Sequence, residues 1–269
     1  MIDSETKMFC LLGRPARHSF SPVMHNAGFK ALKLNSVYLA FEPDNLKKTF
    51  FGLKEIGVAG FNLTMPFKEE IVAYLDVIDS IARRIGAVNT VVNSNGRFTG
   101  YNTDGIGVVE SLKRVTSLKG KKVLLIGSGG AAKAAALYLA QENALVSITS
   151  RHQLNAVKLA KFTGMESIVL GSVKDEHDFD IIINATPVGM VPKINEMPLQ
   201  SGILKEGLIV FDMVYDPVET ALLKEAKRRR CVTVNGIDLL LNQGYSAFKL
   251  FTGKAAPKKE MEEAVLKKI

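Results

Sequence analysis

A chain of 269 residues with 47% hydrophobic and 23% charged residues has the composition of an ordinary globular protein, long enough for one large or two modest hydrophobic cores. No run of ~18 apolar residues occurs, and the N-terminus lacks a basic segment followed by an apolar stretch. We therefore predict a cytoplasmic protein that does not engage a membrane. The net charge of +8 would suit nucleic acid, anionic lipid or acidic small molecules.

The positions of the basic residues and of the cysteines and histidines narrow the possible binding partners. The densest basic runs, 227–230 and 254–268, contain no aromatic residues that could stack on bases, so we predict no nucleic-acid binding. Cys10 and Cys231 lie outside any CxxC or Cys/His cluster and are read as reduced, buried thiols. No metal is expected, because no HxxxH or similar pair is formed by His18, His25, His152 and His177.

Strand and helix patterns alternate from the start of the chain, which is typical of an α/β fold with mostly parallel sheets. Short apolar runs predict strands at 9–13, 37–41, 60–65 and 88–92. Apolar residues at three- and four-residue spacing predict helices at 22–32 and 46–56. A proline in a first helical turn predicts a further helix at 66–75.

The strand patterns are clearer in the second half of the sequence. Apolar runs predict strands at 123–126, 145–149, 181–183 and 208–211. An alanine-rich helix at 131–140 follows the first of them. We place a domain boundary near Gly105 and a return crossing near Gly236, because the last helical segments have no strands of their own.

A glycine cluster, Gly127-Ser128-Gly129-Gly130-Ala131, lies between a predicted strand and a predicted helix, as in a dinucleotide-binding turn. Gly127 would make the tight turn, and Gly129 would let the backbone approach a diphosphate. The N–H groups at the helix start would hold that diphosphate, aided by the positive end of the helix dipole. The alternative is a glycine-rich turn that binds nothing.

The end of the next strand predicts the choice of cofactor. NAD enzymes usually place Asp or Glu there against the ribose 2′-hydroxyl, whereas this chain has Thr149-Ser150-Arg151. A guanidinium without an acid suits a 2′-phosphate and favours NADP. Otherwise Arg151 is a surface residue that opens the next helix.

Polar residues cluster in the N-terminal half. Ser19 and Ser21 offer two hydroxyls that suit a carboxylate or a polyol, although Ser21 alone reads as a helix N-cap before Pro22. Asn62 and Thr64 share one face of a predicted strand.

Further charged and amide side chains lie where a hydrophobic core would not be expected to hold them. Lys68 falls in the first turn of a predicted helix, where a cation opposes the dipole by up to about 1 kcal/mol, so it is a catalytic candidate or a plain surface lysine. Asn89 and Asp104 add an amide and an acid, with Asp104 also a possible N-cap for a helix beginning at Ile106. Asn242-Gln243-Gly244 interrupts an apolar helical stretch, where a buried amide needs a partner or ligand.

Eight segments, in order over nearly the whole chain, resemble the successive motifs of shikimate dehydrogenases. They are HSFSPVMHN (18–26), GFNLTMPFKE (60–69), GAVNTV (86–91), GYNTDGIG (100–107), GSGGAA (127–132), NATPVGM (184–190), DMVY (212–215) and NQGYSAF (242–248). The resemblance implies a substrate-binding domain, 1–104 completed by 237–269, and a Rossmann-type NADP-binding domain, 105–236, with the active site in a cleft. It also implies NADPH-dependent reduction of 3-dehydroshikimate to shikimate.

The resemblance assigns a role to each matching position. Ser19 and Ser21 would hold the substrate carboxylate, and Lys68 would pass a proton at the reacting oxygen with Asp104 orienting it. The remaining substrate contacts would be Asn62, Thr64, Asn89, Gln243 and, from the cofactor side, Tyr215. The cofactor would be held by Gly127, Ser128, Gly129, Gly130, Ala131, Ser150, Arg151, Thr186, Met213 and Gly236.

Some positions depart from the family pattern. Phe20 replaces the usual leucine, and the second basic residue after the cofactor strand is lost because the chain has Asn155 there. The alternatives are a quinate/shikimate dehydrogenase that uses NAD and a non-catalytic metabolite sensor. Retention of both Lys68 and Asp104 disfavours the sensor, and the sequence allows a monomer or a homodimer.

Overall fold

The computed structural model describes residues 2–173 and 178–269. The chain divides into two compact units, one of Met1–Thr103 with Gln243–Ile269 and the other of Asp104–Asn242. The second division falls inside a long helix, α8 (Gly236–Thr252), whereas the predicted return crossing, near Gly236, lies at the start of that helix.

The first unit is built on a six-stranded sheet with the order β2-β1-β3-β5-β6-β4. The strands are β1 (Lys7–Leu12), β2 (Ser36–Phe41), β3 (Gly60–Leu63), β4 (Val77–Ile78), β5 (Thr90–Ser94) and β6 (Arg97–Tyr101). Three of its five strand pairings are parallel, in line with the expected mostly parallel sheets, whereas β5 runs antiparallel to both β3 and β6. The reason is a hairpin at Asn95-Gly96, whose two positive φ angles of 54° and 84° match a tight two-residue turn.

The helices of the first unit are α1 (Ser21–Ala31), α2 (Leu46–Glu55), α3 (Ser80–Ile85), the C-terminal part of α8 and α9 (Lys258–Leu266). An aromatic cluster of Phe9, His25, Phe29, Phe248 and Phe251 lies between β1, α1 and α8. A Cβ at Gly28 would lie 2.6 Å from the Phe248 ring, which explains why α1 needs a glycine here.

The predicted helix at 66–75 is wrong. Residues 65–69 form a turn, and only Glu70–Tyr74 continues as a 3-10 helix. Phe67 and Ile71 are buried at helical spacing, which produced the misleading pattern. The segment ends because Asp76 joins β6, exchanging backbone and carboxylate hydrogen bonds of 3.1 and 2.7 Å with Phe98.

The second unit is a six-stranded, fully parallel sheet with the order β12-β11-β10-β7-β8-β9. Its strands are β7 (Lys122–Ile126), β8 (Leu145–Thr149), β9 (Glu166–Ser167), β10 (Ile181–Asn184), β11 (Ile209–Asp212) and β12 (Val232–Val234). The chain winds outward in both directions from β7, so the topology switches between β7 and β10. Open α/β sheets bind ligands beyond the strand ends at such a switch.

Helices cover this sheet on both faces, which confirms the predicted Rossmann-type α/β domain. They are α4 (Asp104–Lys113), α5 (Gly130–Gln141), α6 (Gln153–Thr163), α7 (Ala221–Arg228) and the first turns of α8. Alternate residues of β7 and β10 pack into separate cores, with Leu125 and Ile183 on one face and Leu124 and Ile182 on the other. Burial on both faces explains why these strands read as unbroken apolar runs.

In the part of the chain that the structure describes, no helix combines the length and the apolar character needed to cross a membrane.

Candidate functional site

The turn between β7 and α5 has the geometry of an anion-binding loop. Gly127 adopts a φ of 130° and donates its N–H to the Thr149 carbonyl at 2.8 Å. A Cβ there would lie 3.0 Å from the Ala185 carbonyl oxygen. Gly129 is the N-cap of α5, makes no side-chain cap, and has open space where a Cβ would project. The N–H groups at the start of α5, from Gly130 onward, can therefore take an anionic ligand that approaches over Gly129.

The end of β8 lies beside this turn and carries hydroxyls and a cation. The Thr149 hydroxyl is buried and has no hydrogen-bond partner among the described residues. Ser150 donates its hydroxyl to the His152 carbonyl at 2.8 Å, and the exposed Arg151 places Nη2 3.5 Å from Nε2 of His152. An orphaned hydroxyl, an exposed guanidinium and an open glycine turn fit a dinucleotide that carries a 2′-phosphate.

The remaining cofactor candidates follow β10 and β11. Thr186 donates both its N–H and its hydroxyl to Oδ1 of Asn184, at 3.1 and 2.7 Å. The Met213 N–H bonds to the Asn184 carbonyl at 3.0 Å, and Tyr215 is half-buried two residues later. A Cβ at Gly236 would lie 2.4 Å from the Val214 carbonyl oxygen, so the backbone there tolerates only glycine.

In the first unit, the two serines are adjacent and buried. Their hydroxyl oxygens lie 3.2 Å apart, and Ser21 donates its N–H to Oγ of Ser19 at 3.2 Å. Interpreting Ser21 as the N-cap is wrong, because α1 begins at Ser21 and Phe20 occupies the cap position without a side-chain bond. Capping therefore does not explain the Ser21 hydroxyl.

Asn62 is the centre of a buried amide network. Its Oδ1 accepts a hydrogen bond of 2.7 Å from the Tyr38 hydroxyl, and its Nδ2 donates to the Asn89 carbonyl and the Thr90 hydroxyl at 3.0 and 2.9 Å. Both N–H groups of the amide are thus used within the protein, which leaves one lone pair on Oδ1 for a ligand hydroxyl.

Asn89 extends this network towards α8. Its side chain accepts the Thr103 N–H at 2.8 Å and donates to the Thr103 hydroxyl at 3.0 Å. The Thr103 hydroxyl lies 3.4 Å from Oε1 of Gln243. The fold therefore brings three predicted substrate contacts together, Asn62, Asn89 and Gln243, through Thr90 and Thr103.

Sequence reasoning missed Tyr38, Thr90 and Thr103. Tyr38 is fully buried, and a buried phenol normally requires a hydrogen-bond partner, so a tyrosine inside a predicted core strand was the available signal. Burial raises the pKa of the Tyr38 phenol well above its ordinary value, which keeps it a hydrogen-bond donor.

Thr64 and Lys68 lie beyond the end of β3. Thr64 is half-buried, and its methyl group lies 2.0 Å from where a Cβ of Gly13 would project. Lys68 is half-buried, and its carbonyl accepts the Val88 N–H at 2.8 Å. The prediction that a helix dipole opposes the charge of Lys68 is wrong, because Lys68 belongs to a turn and not to an α-helix. Its candidacy now depends on the family motif and on the hydrogen bond of its carbonyl to Val88, which precedes Asn89 in the chain.

Two predictions at helix positions also change. α4 begins at Asp104 itself, so Asp104 is a buried first helical residue and not the cap of a helix beginning at Ile106. α8 runs without a break through Asn242 and Gln243. The Asn242 amide finds its partners in the second unit, donating to the Ser111 hydroxyl at 3.1 Å and the Asp238 carbonyl at 3.0 Å.

The basic run 227–230 is paired with carboxylates of the same unit. Lys227 lies 2.5 Å from Glu219, Arg228 and Arg229 each lie 2.7 Å from Glu225, and Arg230 lies 3.5 Å from Glu206. Hydrogen bonds from Arg228 and Arg229 lower the pKa of Glu225 to about 2. These cations therefore do not form a uniform basic patch.

No group of three or more His, Cys, Asp and Glu side chains that could hold a metal occurs in residues 2–173 and 178–269. His177 lies outside these ranges.

Comparison with known proteins matches three family descriptions along the chain. "Shikimate dehydrogenase substrate binding domain" matches residues 11–91, "Shikimate / quinate 5-dehydrogenase" matches 110–214, and "Shikimate 5'-dehydrogenase C-terminal domain" matches 236–266. The chain is also 44% identical over 280 residues to the shikimate dehydrogenase (NADP(+)) of Methanocaldococcus jannaschii, with 100% of this chain and 99% of that protein covered.

Solved structures agree with this match. A crystal structure of a shikimate dehydrogenase in complex with NADP+ has a TM-score of 0.95 at 43% identity, covering 100% of this chain and 98% of its own. Shikimate 5-dehydrogenase from Thermus thermophilus, in complex with NADP(H) and shikimate, has a TM-score of 0.90 at 36% identity, covering 98% of this chain and 100% of its own.

Proposed function

Because this chain belongs to the shikimate dehydrogenase family, we propose that it catalyses the reversible NADPH-dependent reduction of 3-dehydroshikimate to shikimate, in the pathway to chorismate and the aromatic amino acids. The observation that carries the proposal is the joint presence of two sites. One is the open glycine turn next to Arg151 with no acid at the end of β8, and the other is the buried amide network around Asn62.

The first unit supplies groups suited to a hydroxylated ring acid. Ser19 and Ser21 present paired hydroxyls to the carboxylate, and Oδ1 of Asn62 retains a lone pair for a ring hydroxyl. Neutral donors and acceptors of this kind bind a polar ligand through hydrogen bonds without trapping it. Thr64, Asn89, Gln243 and Tyr215 complete the proposed substrate contacts.

Lys68 is the proposed proton carrier, with Asp104 as the second member of the catalytic pair. NADPH, when bound, supplies a hydride to the carbonyl carbon of the substrate. Negative charge then builds on the carbonyl oxygen, and a positioned ammonium both stabilises that charge and donates the proton that completes the alcohol. In the reverse direction the neutral amine of Lys68 would take the hydroxyl proton while NADP+ would accept the hydride from the carbon.

The second unit holds the cofactor in this proposal. Gly127, Ser128, Gly129, Gly130 and Ala131 receive the diphosphate, with Ser150 and Arg151 at the 2′-phosphate and Thr186, Met213 and Gly236 on the nicotinamide side. The proposed substrate domain is 1–104 with 237–269 and the proposed NADP domain is 105–236, whereas the two compact units divide at Thr103 and Asn242. We place the protein in the cytoplasm as a monomer or homodimer.

One assay tests the proposed reaction against its alternatives. Purified protein should oxidise shikimate with NADP+ much faster than with NAD+, followed by absorbance of the reduced nicotinamide. Faster oxidation of quinate with NAD+ would favour the quinate/shikimate enzyme. Shikimate binding without oxidation by either cofactor would favour a metabolite sensor.

Lys68→Ala tests the catalytic assignment. We expect turnover to fall about a hundredfold or more while KM for shikimate changes little, since general acid–base catalysis contributes on the order of 10²–10⁴ in rate. Lys47→Ala, at an exposed position on α2, is the matched control and should behave as wild type. Near-normal turnover of Lys68→Ala would remove Lys68 from the mechanism.

A further inference from the structure

Two buried polar side chains connect the ends of β10 and β11. Asn184 and Asp212 are the last residues of these neighbouring parallel strands, lie opposite each other in the register, and are both fully buried. Nδ2 of Asn184 donates to Oδ1 of Asp212 at 3.0 Å. Burying two polar side chains lowers the free energy of unfolding unless hydrogen bonds satisfy their donors and acceptors.

Each member of the pair holds the loop that follows its strand. Asn184 accepts two hydrogen bonds from Thr186 and donates to the Val188 carbonyl at 3.0 Å. Asp212 accepts the Val214 N–H at 3.0 Å and the Thr220 hydroxyl at 2.6 Å. The loops that carry Thr186 and Met213 are therefore joined by the side chains of Asn184 and Asp212, in addition to the bond from the Met213 N–H to the Asn184 carbonyl.

The hydrogen-bond partners of the Asp212 carboxylate among the described residues carry no charge. Burial raises the pKa of Asp212 to about 6, and the hydrogen bonds from Thr220, Val214 and Asn184 pull it the other way. All three partners are neutral, so the site does not repay desolvation with an ion pair. What a carboxylate offers here is two oxygens that accept three donors from three different segments, which no other side chain of this size does.

We propose that Asp212, acting through Asn184, is a positioning residue that holds Thr186 and Met213 in place for the nicotinamide half of the cofactor. This rests on the proposed function, because it takes NADP as the ligand of the second unit. Asp212 is buried beneath the loops and acts on the cofactor only through them. It should therefore affect the nicotinamide end of the site and leave the adenosine end, at Arg151, unchanged.

Two ligands distinguish binding at the nicotinamide end of the site from binding at the adenosine end. NADP+ occupies both, whereas 2′,5′-ADP carries the adenosine and the 2′-phosphate but no nicotinamide. Titration calorimetry of the full chain with each probe would be carried out on wild type, Asp212→Ala and Asp212→Asn. We expect Asp212→Ala to weaken NADP+ about tenfold, the equivalent of roughly one hydrogen bond, with 2′,5′-ADP unchanged. Asp212→Asn should rescue part of the loss, because its one oxygen can still accept from Val214 and Asn184.

Two controls keep the test decisive. Ser111→Ala removes a buried hydroxyl elsewhere in the same unit, one that donates to the Gly107 carbonyl at 2.7 Å, and should lower the melting temperature without changing either affinity. If Asp212→Ala does not fold, Thr220→Val removes the hydroxyl that donates to Asp212 at 2.6 Å and also accepts the Leu223 N–H as the cap of α7, whereas Thr220→Ser retains both hydrogen bonds. NADP+ should then bind more weakly to Thr220→Val than to Thr220→Ser.

The outcomes are distinguishable. Loss confined to NADP+ supports the proposal. Equal weakening of both probes, or none, overturns it while the proposed function stands. Wild-type protein that binds neither probe overturns the proposed function, and this inference with it.

Discussion

The phenol of Tyr38 donates a hydrogen bond of 2.7 Å to Oδ1 of Asn62, and both side chains are buried. The Asn62 amide nitrogen is held on the other side by the Asn89 carbonyl and the Thr90 hydroxyl. The amide is thus fixed from both ends, so its remaining lone pair has a defined direction. Tyr38 lies on β2 and Asn62 on β3, on opposite sides of β1.

Tyr38→Phe should therefore affect stability and substrate affinity together. The change leaves a buried amide oxygen without this donor, which costs about 1–3 kcal/mol in free energy of unfolding. KM for shikimate should rise several-fold because the Asn62 amide is free to reorient, while kcat stays near the wild-type value. Urea unfolding and steady-state kinetics measure the two effects.

Tyr74→Phe is the matched control, since the Tyr74 hydroxyl makes only an exposed hydrogen bond of 3.3 Å with Glu70. It should change neither quantity appreciably. A stable Tyr38→Phe protein with unchanged KM would show that the phenol has no influence on the substrate site.

The strands of the second unit were predictable because a strand buried on both faces appears in the sequence as a continuous run of apolar residues. The strand predicted at 145–149 matches β8, and those predicted at 123–126, 181–183 and 208–211 match β7, β10 and β11 to within one residue at either end. The same reasoning failed at 66–75, where Phe67 and Ile71 have helical spacing in a turn that is ended by the pairing of Asp76 with Phe98. That pairing joins distant segments, which local periodicity does not record.

The candidate site was predictable to a similar degree. Asn62, Asn89 and Gln243 were found as separate polar residues, and the fold joins them through Thr90 and Thr103. Threonines at strand ends are common and carry no signal of their own. Asp212 had no predicted role beyond its place in the DMVY motif. Its partner Thr220 lies eight residues along the chain, in a segment of no recognisable pattern.

His25 should make the protein sensitive to acid. It is buried, stacked on Tyr38 with ring centroids 4.5 Å apart, and burial lowers its pKa from 6.5 to about 3. Below pH 6.5 the unfolded chain binds a proton at this position that the folded protein does not, so stability falls as pH drops from about 6.5 towards 3. Between pH 7 and pH 5 this linkage amounts to about 2 kcal/mol.

His25→Gln should remove that part of the pH dependence, measured as the free energy of unfolding in urea at pH 7 and pH 5. The variant is expected to be less stable than wild type at pH 7 and to lose less stability on acidification. His18→Gln, at an exposed position in the same motif, is the control and should follow the wild-type curve. Identical pH slopes for His25→Gln and wild type would contradict the prediction.

Arg151→Ala should reduce the preference for NADP+ over NAD+. A charge-assisted hydrogen bond contributes about 1.5–3 kcal/mol, so Kd for NADP+ should rise by roughly 10- to 100-fold. Kd for NAD+ should remain within a factor of two, because NAD+ has no 2′-phosphate. Fluorescence titration with both cofactors measures the difference.

Asn155→Arg tests the same site in the opposite direction. It restores a cation at the exposed position where the family pattern has a second basic residue, and should tighten NADP+ binding at low salt. Loss of both affinities in Arg151→Ala would mean that the residue supports the fold of the turn instead of recognising the 2′-phosphate.

Gly127 and Gly129 should respond differently to alanine, although they are two residues apart. Gly127 has a φ of 130° and a Cβ position 3.0 Å from the Ala185 carbonyl, so Gly127→Ala should lower the free energy of unfolding by about 1–3 kcal/mol. Gly129 has a φ of −80° and open space around its Cβ position, so Gly129→Ala should cost about 1 kcal/mol or less, as a lost N-cap preference.

Cofactor binding separates the two variants further. The methyl group of Gly129→Ala would occupy the space over which a diphosphate approaches the N–H groups of α5, so NADP+ affinity should fall at least tenfold in a protein of nearly normal stability. Thermal unfolding and calorimetric titration of both variants provide the comparison. Wild-type NADP+ affinity in Gly129→Ala would mean that the diphosphate does not pass over this turn.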